Sequence, residues 1–222
     1  MTEPRHETTE VGIKLVIFDC DGVLFESAAA NIGFCNEVLR RAGEPPMDRR
    51  AEKSCEAMSS RQFFDAHYGG LPELRARLGE EALKTDYDPF FKLMKPVEGL
   101  RSELAALRAL YKTAMATNRG KTTTRVLEVF GLNDLFDFAV GALDVDSPKP
   151  SPSMLLSCLA HFGLGPDEAV YVGDQASDAE ASLAAGIVFV GMGSVAASCD
   201  LVARRLSDLH AIVAGLGRGA GT

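Results

Sequence analysis

The stretch VIFDCDGVLFES, residues 16–27, decides the fold. It closes the apolar run IKLVIF over 13–18, which ends abruptly at Asp19, Cys20, Asp21 and Gly22. Two carboxylates one residue apart repel each other. Placing them at the tip of a buried strand therefore demands a cation, a proton or a charged partner. Gly22 lets the backbone turn sharply away from the strand and approach a ligand closely.

Four further runs read as strands: YKTAMAT (111–117), DFAVGA (137–142), AVYVGD (169–174) and IVFVGM (187–192). Between them the apolar spacing switches to the helical period, over 98–110, 120–130, 152–162 and 176–185. Ser151 followed by Pro152 reads as an N-cap and first helical position, and Gly131, Gly163 and Gly186 read as helix stops. Alternating strand and helix predicts an α/β fold, a Rossmann-like parallel sheet with helices on both faces. One region breaks the alternation. Residues 28–95 hold only amphipathic helical segments (28–42, 60–67, 71–84 and 87–94), broken at GEPP, YGG and KPVEG. This predicts a small all-helical insertion after the first strand. The core then comprises 12–27 and 96–215, with flexible tails at 1–11 and 216–222.

The bulk numbers narrow the function. The chain has 222 residues, 46% of them hydrophobic and 24% charged, which is the composition of a packed globular protein. A net charge of −8 with no dense Lys/Arg block argues against nucleic-acid or anionic-membrane partners. The opening MTEPRHETTE has no apolar stretch and reads as a frayed tail rather than a secretory signal. Five scattered cysteines without a C-x-x-C pair fit neither a disulfide framework nor a zinc site, so a reducing cytoplasm is expected.

In open parallel sheets, ligands bind beyond the carboxyl ends of the strands. Four strand ends carry chemistry here: Asp19 and Asp21, Thr117 and Asn118, Lys149 within DSPKPSP, and Asp174 and Asp178 within GDQASD. Parallel topology brings them to one rim. Four carboxylates with few nitrogen donors call for a hard cation, Mg²⁺. Lys149, Thr117, Asn118 and free backbone N–H groups then suit an anion. Metal, anion site and surplus carboxylate make a phosphoryl-transfer centre. One aspartate of the opening pair can attack phosphorus, and the other, two residues on, can protonate the leaving oxygen and then deprotonate water. Each residue has a plainer reading: Asp-Gly is a turn pair, Thr117 and Asn118 suit a helix cap, a lone Lys is normally solvated, and Asp174 and Asp178 suit a first helical turn. Their joint register along the chain favours the site.

DCDGV, ATN, PKP and GDQASD, in that order, resemble the four motifs of the haloacid dehalogenase superfamily in its magnesium-dependent phosphatase branch. The helical insertion resembles that family's small cap. The resemblance implies that Asp19 is the phosphorylated nucleophile and Asp21 the general acid/base, whose carbonyl also helps hold the metal. It implies that Thr117 and Asn118 bind the phosphoryl group with Gly22 close by, that Lys149 neutralises it and orients Asp19, and that Asp174 and Asp178 hold or support Mg²⁺. Asp21 argues against dehalogenation, because the dehalogenase branch lacks it. The nearest likeness is to phosphoglycolate phosphatases, and β-phosphoglucomutases share the motifs. Glu26-Ser27 and Pro148 depart from the usual Asp-Ser and Gly/Arg.

The expected function is Mg²⁺-dependent hydrolysis of a small phosphorylated metabolite through an aspartyl-phosphate, by a monomer or homodimer. The alternatives are a sugar-phosphate mutase and a non-catalytic binding protein on the same fold. In the insertion, Arg61 is the first candidate to meet the leaving group. Phe63 and Phe64 read as cap core, and Cys20 reads as an apolar filler.

Overall fold

Side-chain alternation along the central strand, β1 (Leu15–Phe18), sorts the rest of the chain onto two faces. The computed structural model describes residues 12–56 and 58–217. The expected flexible tail 1–11 lies outside them; of the expected tail 216–222 only 218–222 does, since Leu216 closes a helix and Gly217 caps it. After β1 the chain turns into a short strand, β2 (Phe25–Glu26), and then into four helices: α1 (Ala28–Arg41), α2 (Arg49–Glu56), α3 (Ser60–Tyr68) and α4 (Pro72–Lys84). A 3-10 helix, Asp88–Leu93, leads back to β3 (Lys95–Pro96), which pairs antiparallel with β2. The strands and α-helices that follow are α5 (Leu100–Arg108), β4 (Lys112–Thr117), α6 (Thr123–Val129), β5 (Phe138–Gly141), α7 (Ser153–Phe162), β6 (Ala169–Gly173), α8 (Ala176–Ala185), β7 (Val188–Gly191) and α9 (Leu209–Leu216).

The main sheet has the order β5-β4-β1-β6-β7, every pair parallel. Val16 and Phe18 point into one core, with Leu100, Leu104 and Leu107 of α5 and Leu209 and Val213 of α9. Leu15 and Ile17 point into the other, with Met154, Leu155 and Cys158 of α7 and Ala181 and Ala185 of α8. The inserted helices bury a third cluster of their own. Phe34, Cys35, Val38 and Leu39 of α1 meet Cys55, Phe63, Phe64 and Leu78. Ser59 and Gln62 form a reciprocal capping box that starts α3, which fixes Phe63 and Phe64 inward as cap core. The α/β class with a helical insertion after the first strand is the observed architecture.

Three local readings need correction. Helix α7 begins at Ser153, and its first helical bond runs from the Leu156 amide to the carbonyl of Pro152, so Pro152 rather than Ser151 takes the cap. Within the segment 87–94, Asp88–Leu93 winds as a 3-10 helix, not an α-helix. Helix α2 was not anticipated, because RRAEKSCE is nearly all polar and buries only Cys55.

Candidate active site

Parallel pairing sets the carboxyl ends of β4, β1 and β6 side by side, with β1 in the middle. The chain leaves β1 for β4 on one side and reaches β6 on the other, so the crevice where connections diverge opens above β1. Asp19 extends the ladder one step beyond the strand, its amide donating to the Val172 carbonyl at 2.8 Å. A tight turn follows, in which Gly22 adopts φ +84° and its amide donates to the Phe25 carbonyl at 2.8 Å. Glycine is required twice over here. The backbone is left-handed, and a Cβ would overlap the Asp174 carboxylate. Cys20 is fully buried among the apolar residues of one core, as a small filler would be.

Lys149 organises the rim. Its side chain is only 2% exposed, and Nζ lies 2.9 Å from Asp19 Oδ1 and 2.7 Å from Asp178 Oδ1. The ammonium also donates to the Ala116 carbonyl at 3.1 Å and to the Tyr171 hydroxyl at 2.8 Å. Four neighbours compete for three N–H bonds. The Asp19 contact is an ion pair, and Asp19 Oδ1 is buried with the Lys149 ammonium beside it. Asn118 fixes the lysine from outside. Its amide group donates to the Lys149 carbonyl at 3.1 Å and accepts from the Lys149 amide at 3.0 Å. Thr117, at the tip of β4, accepts from the Arg119 amide at 3.2 Å and is 1% exposed.

Asp178 is the best-satisfied carboxylate. One oxygen accepts from the amides of Asp174 and Gln175 at 3.1 and 3.0 Å, which ties the start of α8 to the end of β6. The other accepts from the Tyr171 hydroxyl at 2.9 Å and faces Lys149. Asp174 accepts from the Gln175 side chain at 2.8 Å. Burial dominates the acidities. It pushes Asp19 up to about 8 against the pull of Lys149, with Asp178, Asp174 and Asp21 adding to the rise. Burial, then the Asp178 charge, pushes Asp174 up to about 7. Burial also opposes the charge on Lys149, but Asp178 and Asp19 outweigh it and raise the lysine above its ordinary value.

Oxygens of Asp19, Asp174 and Asp178 lie within 4.8 Å of one another, all buried. Ionised together, three desolvated carboxylates would carry surplus negative charge against a single ammonium, and an all-oxygen donor set fits a hard divalent cation in place of the protons. The side chain of Asp21 stands outside this group. Its Oδ1 meets Nη2 of Arg119 at 2.5 Å.

Sequence reasoning missed Arg119 and Tyr171. Arg119 is buried, its guanidinium 5.2 Å from the centre of the Tyr87 ring. An arginine just after a strand ordinarily reads as solvated, so nothing local marks it. Tyr171 did carry a signal, because a phenol inside a fully buried strand must find a partner for its hydroxyl. Arg61 lines the cavity between the inserted helices and the sheet, a space of about 1340 Å³ reaching down to Asp19. Its side chain is 72% exposed and 3.9 Å from Asp65, which Arg75 already engages at 2.6 Å.

A family model for haloacid dehalogenase-like hydrolases matches residues 16–192, from β1 to just past β7. The chain belongs to this family. It is similar to the phosphoglycolate phosphatase of Chromobacterium violaceum, with 30% identity covering 89% of this chain and 95% of that protein. It is also similar to a solved subfamily IA hydrolase of the haloacid dehalogenase superfamily from Geobacter sulfurreducens. That structure is 31% identical, with a TM-score of 0.71 over 90% of this chain and 96% of its own. The β-phosphoglucomutase of Clostridium difficile shares the fold at 21% identity, with a TM-score of 0.74 over 92% of this chain and 97% of its own. Within the haloacid dehalogenase-like hydrolases this chain is a phosphatase. Among the described residues no helix is long and apolar enough to cross a membrane.

Proposed function

We propose that this phosphatase hydrolyses a small phosphorylated metabolite of the phosphoglycolate class, by way of a phosphoryl group carried on Asp19. The observation that carries the reading is the pairing of Lys149 with Asp19. A buried carboxylate oxygen held 2.9 Å from an ammonium is oriented, and its negative charge supported, for attack on phosphorus. In the first step a carboxylate oxygen of Asp19 bonds to phosphorus as the ester P–O bond breaks. Asp21 gives its proton to the departing oxygen. In the second step Asp21 takes a proton from water as the water oxygen attacks the same phosphorus. Inorganic phosphate leaves, and Asp19 is regenerated.

Asp19 and Asp174, with the Asp21 carbonyl, would hold Mg²⁺, and Asp178 supports them from behind. When bound, the ion supplies charge neutralisation for the phosphoryl oxygens. Thr117 donates its hydroxyl to a phosphoryl oxygen. Asn118 serves phosphate binding by holding the main chain of Lys149 in place. The turn at Gly22 leaves room for the phosphoryl group above Asp19. Residues 28–95 act as a cap. The cavity exceeds what a two-carbon phosphate fills, so the cap closes to exclude water, and Arg61, loosely paired, meets an anionic group on the leaving alcohol.

Phosphate release from phosphoglycolate, sugar phosphates, nucleoside monophosphates and pyridoxal phosphate tests the reading, with and without Mg²⁺. Turnover that needs both Mg²⁺ and Asp19, and is lost in Asp19→Asn, is the expected result. Isomerisation of glucose 1-phosphate with a bisphosphate primer and little phosphate release would overturn it in favour of a mutase.

A further inference from the structure

We propose that Arg119 is a positioning residue for Asp21, gripping one carboxylate oxygen so that the other faces the leaving group. The inference rests on the reading of Asp21 as the acid that protonates the departing oxygen.

A guanidinium out of water is costly unless its donors are well paired. Arg119 is paired unevenly. Its side chain is 5% exposed, its Nε is buried with no hydrogen-bond partner among the described residues, and its carboxylate contact is to a single oxygen of Asp21. A pair selected for stability would present the two-pronged fork that arginine offers a carboxylate. What the arrangement provides instead is rigidity. Nη1 donates to the Thr122 hydroxyl at 3.3 Å, Nη2 lies 3.3 Å from Met94 Sδ, and the Tyr87 ring covers the group. The main chain is pinned as well, with the Arg119 amide on Thr117 Oγ1 at 3.2 Å and the carbonyl accepting from the Ala142 amide at 2.8 Å. Asp21 is the looser partner, 29% exposed and seated on the turn after β1. The fixed group therefore sets the orientation of the free one. With Oδ1 occupied, the transferable proton resides on Oδ2. Tyr87 extends the chain of contacts into the cap, because its hydroxyl donates to Asn31 Oδ1 on α1 at 2.7 Å.

Leaving-group dependence separates positioning from general structural support. A p-nitrophenolate departs without a proton, whereas an alkoxide needs one. The measured quantity is kcat/KM, which stops at the first irreversible step, transfer to Asp19. It is compared for p-nitrophenyl phosphate and for the best alkyl phosphate of the substrate panel. Arg119→Gln is expected to lower the alkyl value roughly 10- to 100-fold more than the aryl value. Arg119→Lys, which keeps the charge but not the planar fork, recovers part of the difference and serves if the glutamine variant folds poorly. In an Asp21→Asn background, Arg119→Gln adds no further discrimination between the esters. Equal losses on both esters in the Arg119 variants, with Asp21→Asn still discriminating, overturn the positioning role and leave the acid in place. If Asp21→Asn itself treats both esters alike, the acid reading falls and this proposal falls with it.

Discussion

Stripped of divalent cations, the protein is expected to lose stability as the pH rises across the neutral range. Asp19 and Asp174 are raised in the folded chain from 3.8 to about 8 and about 7. The folded state therefore keeps protons that the unfolded chain has released. That stabilising contribution is complete below about pH 4 and is lost as the pH climbs through the two folded values. One proton retained over two pH units is worth about 2.7 kcal/mol. In a domain of this size that is about 5–10 °C in Tm. Carboxylates held low, such as Asp88 by the hydrogen bonds of Arg125 and Glu168 by the Gly165 amide, titrate below this window. The assay is thermal unfolding in chelator at about pH 5.5, 6.5 and 7.5, repeated with Asp19→Asn and with added Mg²⁺. Asp19→Asn flattens the fall. Mg²⁺ at about a hundred times its dissociation constant restores about 2.7 kcal/mol at the upper pH. A Tm in chelator that holds level or rises from the lowest to the highest pH would refute the account of the buried triad.

Lys149→Met leaves Asp19 and Asp178 facing each other without a cation, so it is expected to cost about 3–5 kcal/mol in denaturant unfolding and to abolish phosphate release. Tyr171→Phe removes the hydroxyl that joins Lys149 to Asp178. Its expected cost is about 1–3 kcal/mol, with kcat falling more than KM rises in steady-state assays. Gly22→Ala puts a methyl group into the Asp174 carboxylate at a left-handed position, and calorimetry is expected to show Mg²⁺ affinity lowered roughly ten-fold or more.

The strand ends were legible because a buried parallel strand is a continuous apolar run, and its sudden polar end stands out. IKLVIF before Asp19 and AVYVG before Asp174 are such runs. The cap helices were legible where an apolar stripe existed, as in α1, and invisible where it did not, as in α2. The pairing of Asn118 with the Lys149 main chain spans 31 residues, and that of Arg119 with Asp21 spans 98. Neither has a local signature, because each exists only once the sheet has brought separate loops together. The sequence therefore told which residues gather at the rim, but not which of them face the ligand and which brace another side chain. Asp178 is the clearest case. Its spacing from Asp174 reads as a ligand pair, and in the folded chain its oxygens lie in the same acidic triad while also meeting Tyr171, Lys149 and the amides of Asp174 and Gln175, contacts that no spacing announces.

The two-residue ribbon of β2 and β3 also bears on how such a molecule can change over evolutionary time. Phe25 lies opposite Pro96 and Glu26 opposite Lys95, so the chain departs from the sheet and returns to it at neighbouring points. To the sheet, everything between those points is a closed loop, and closing a longer loop costs only about 0.6 kcal/mol for each doubling of its length. The inserted helices bury their own apolar cluster, so they make few demands on the sheet beneath. Such an insertion can be lengthened, trimmed or exchanged while β1, β4 and β6 keep their register. New substrates can thus be reached by rewriting the roof while the floor stays as it is. The limit is set by the short turn before the ribbon, where Asp21 bridges to Phe25. A replacement roof that shifts Phe25 also shifts Asp21.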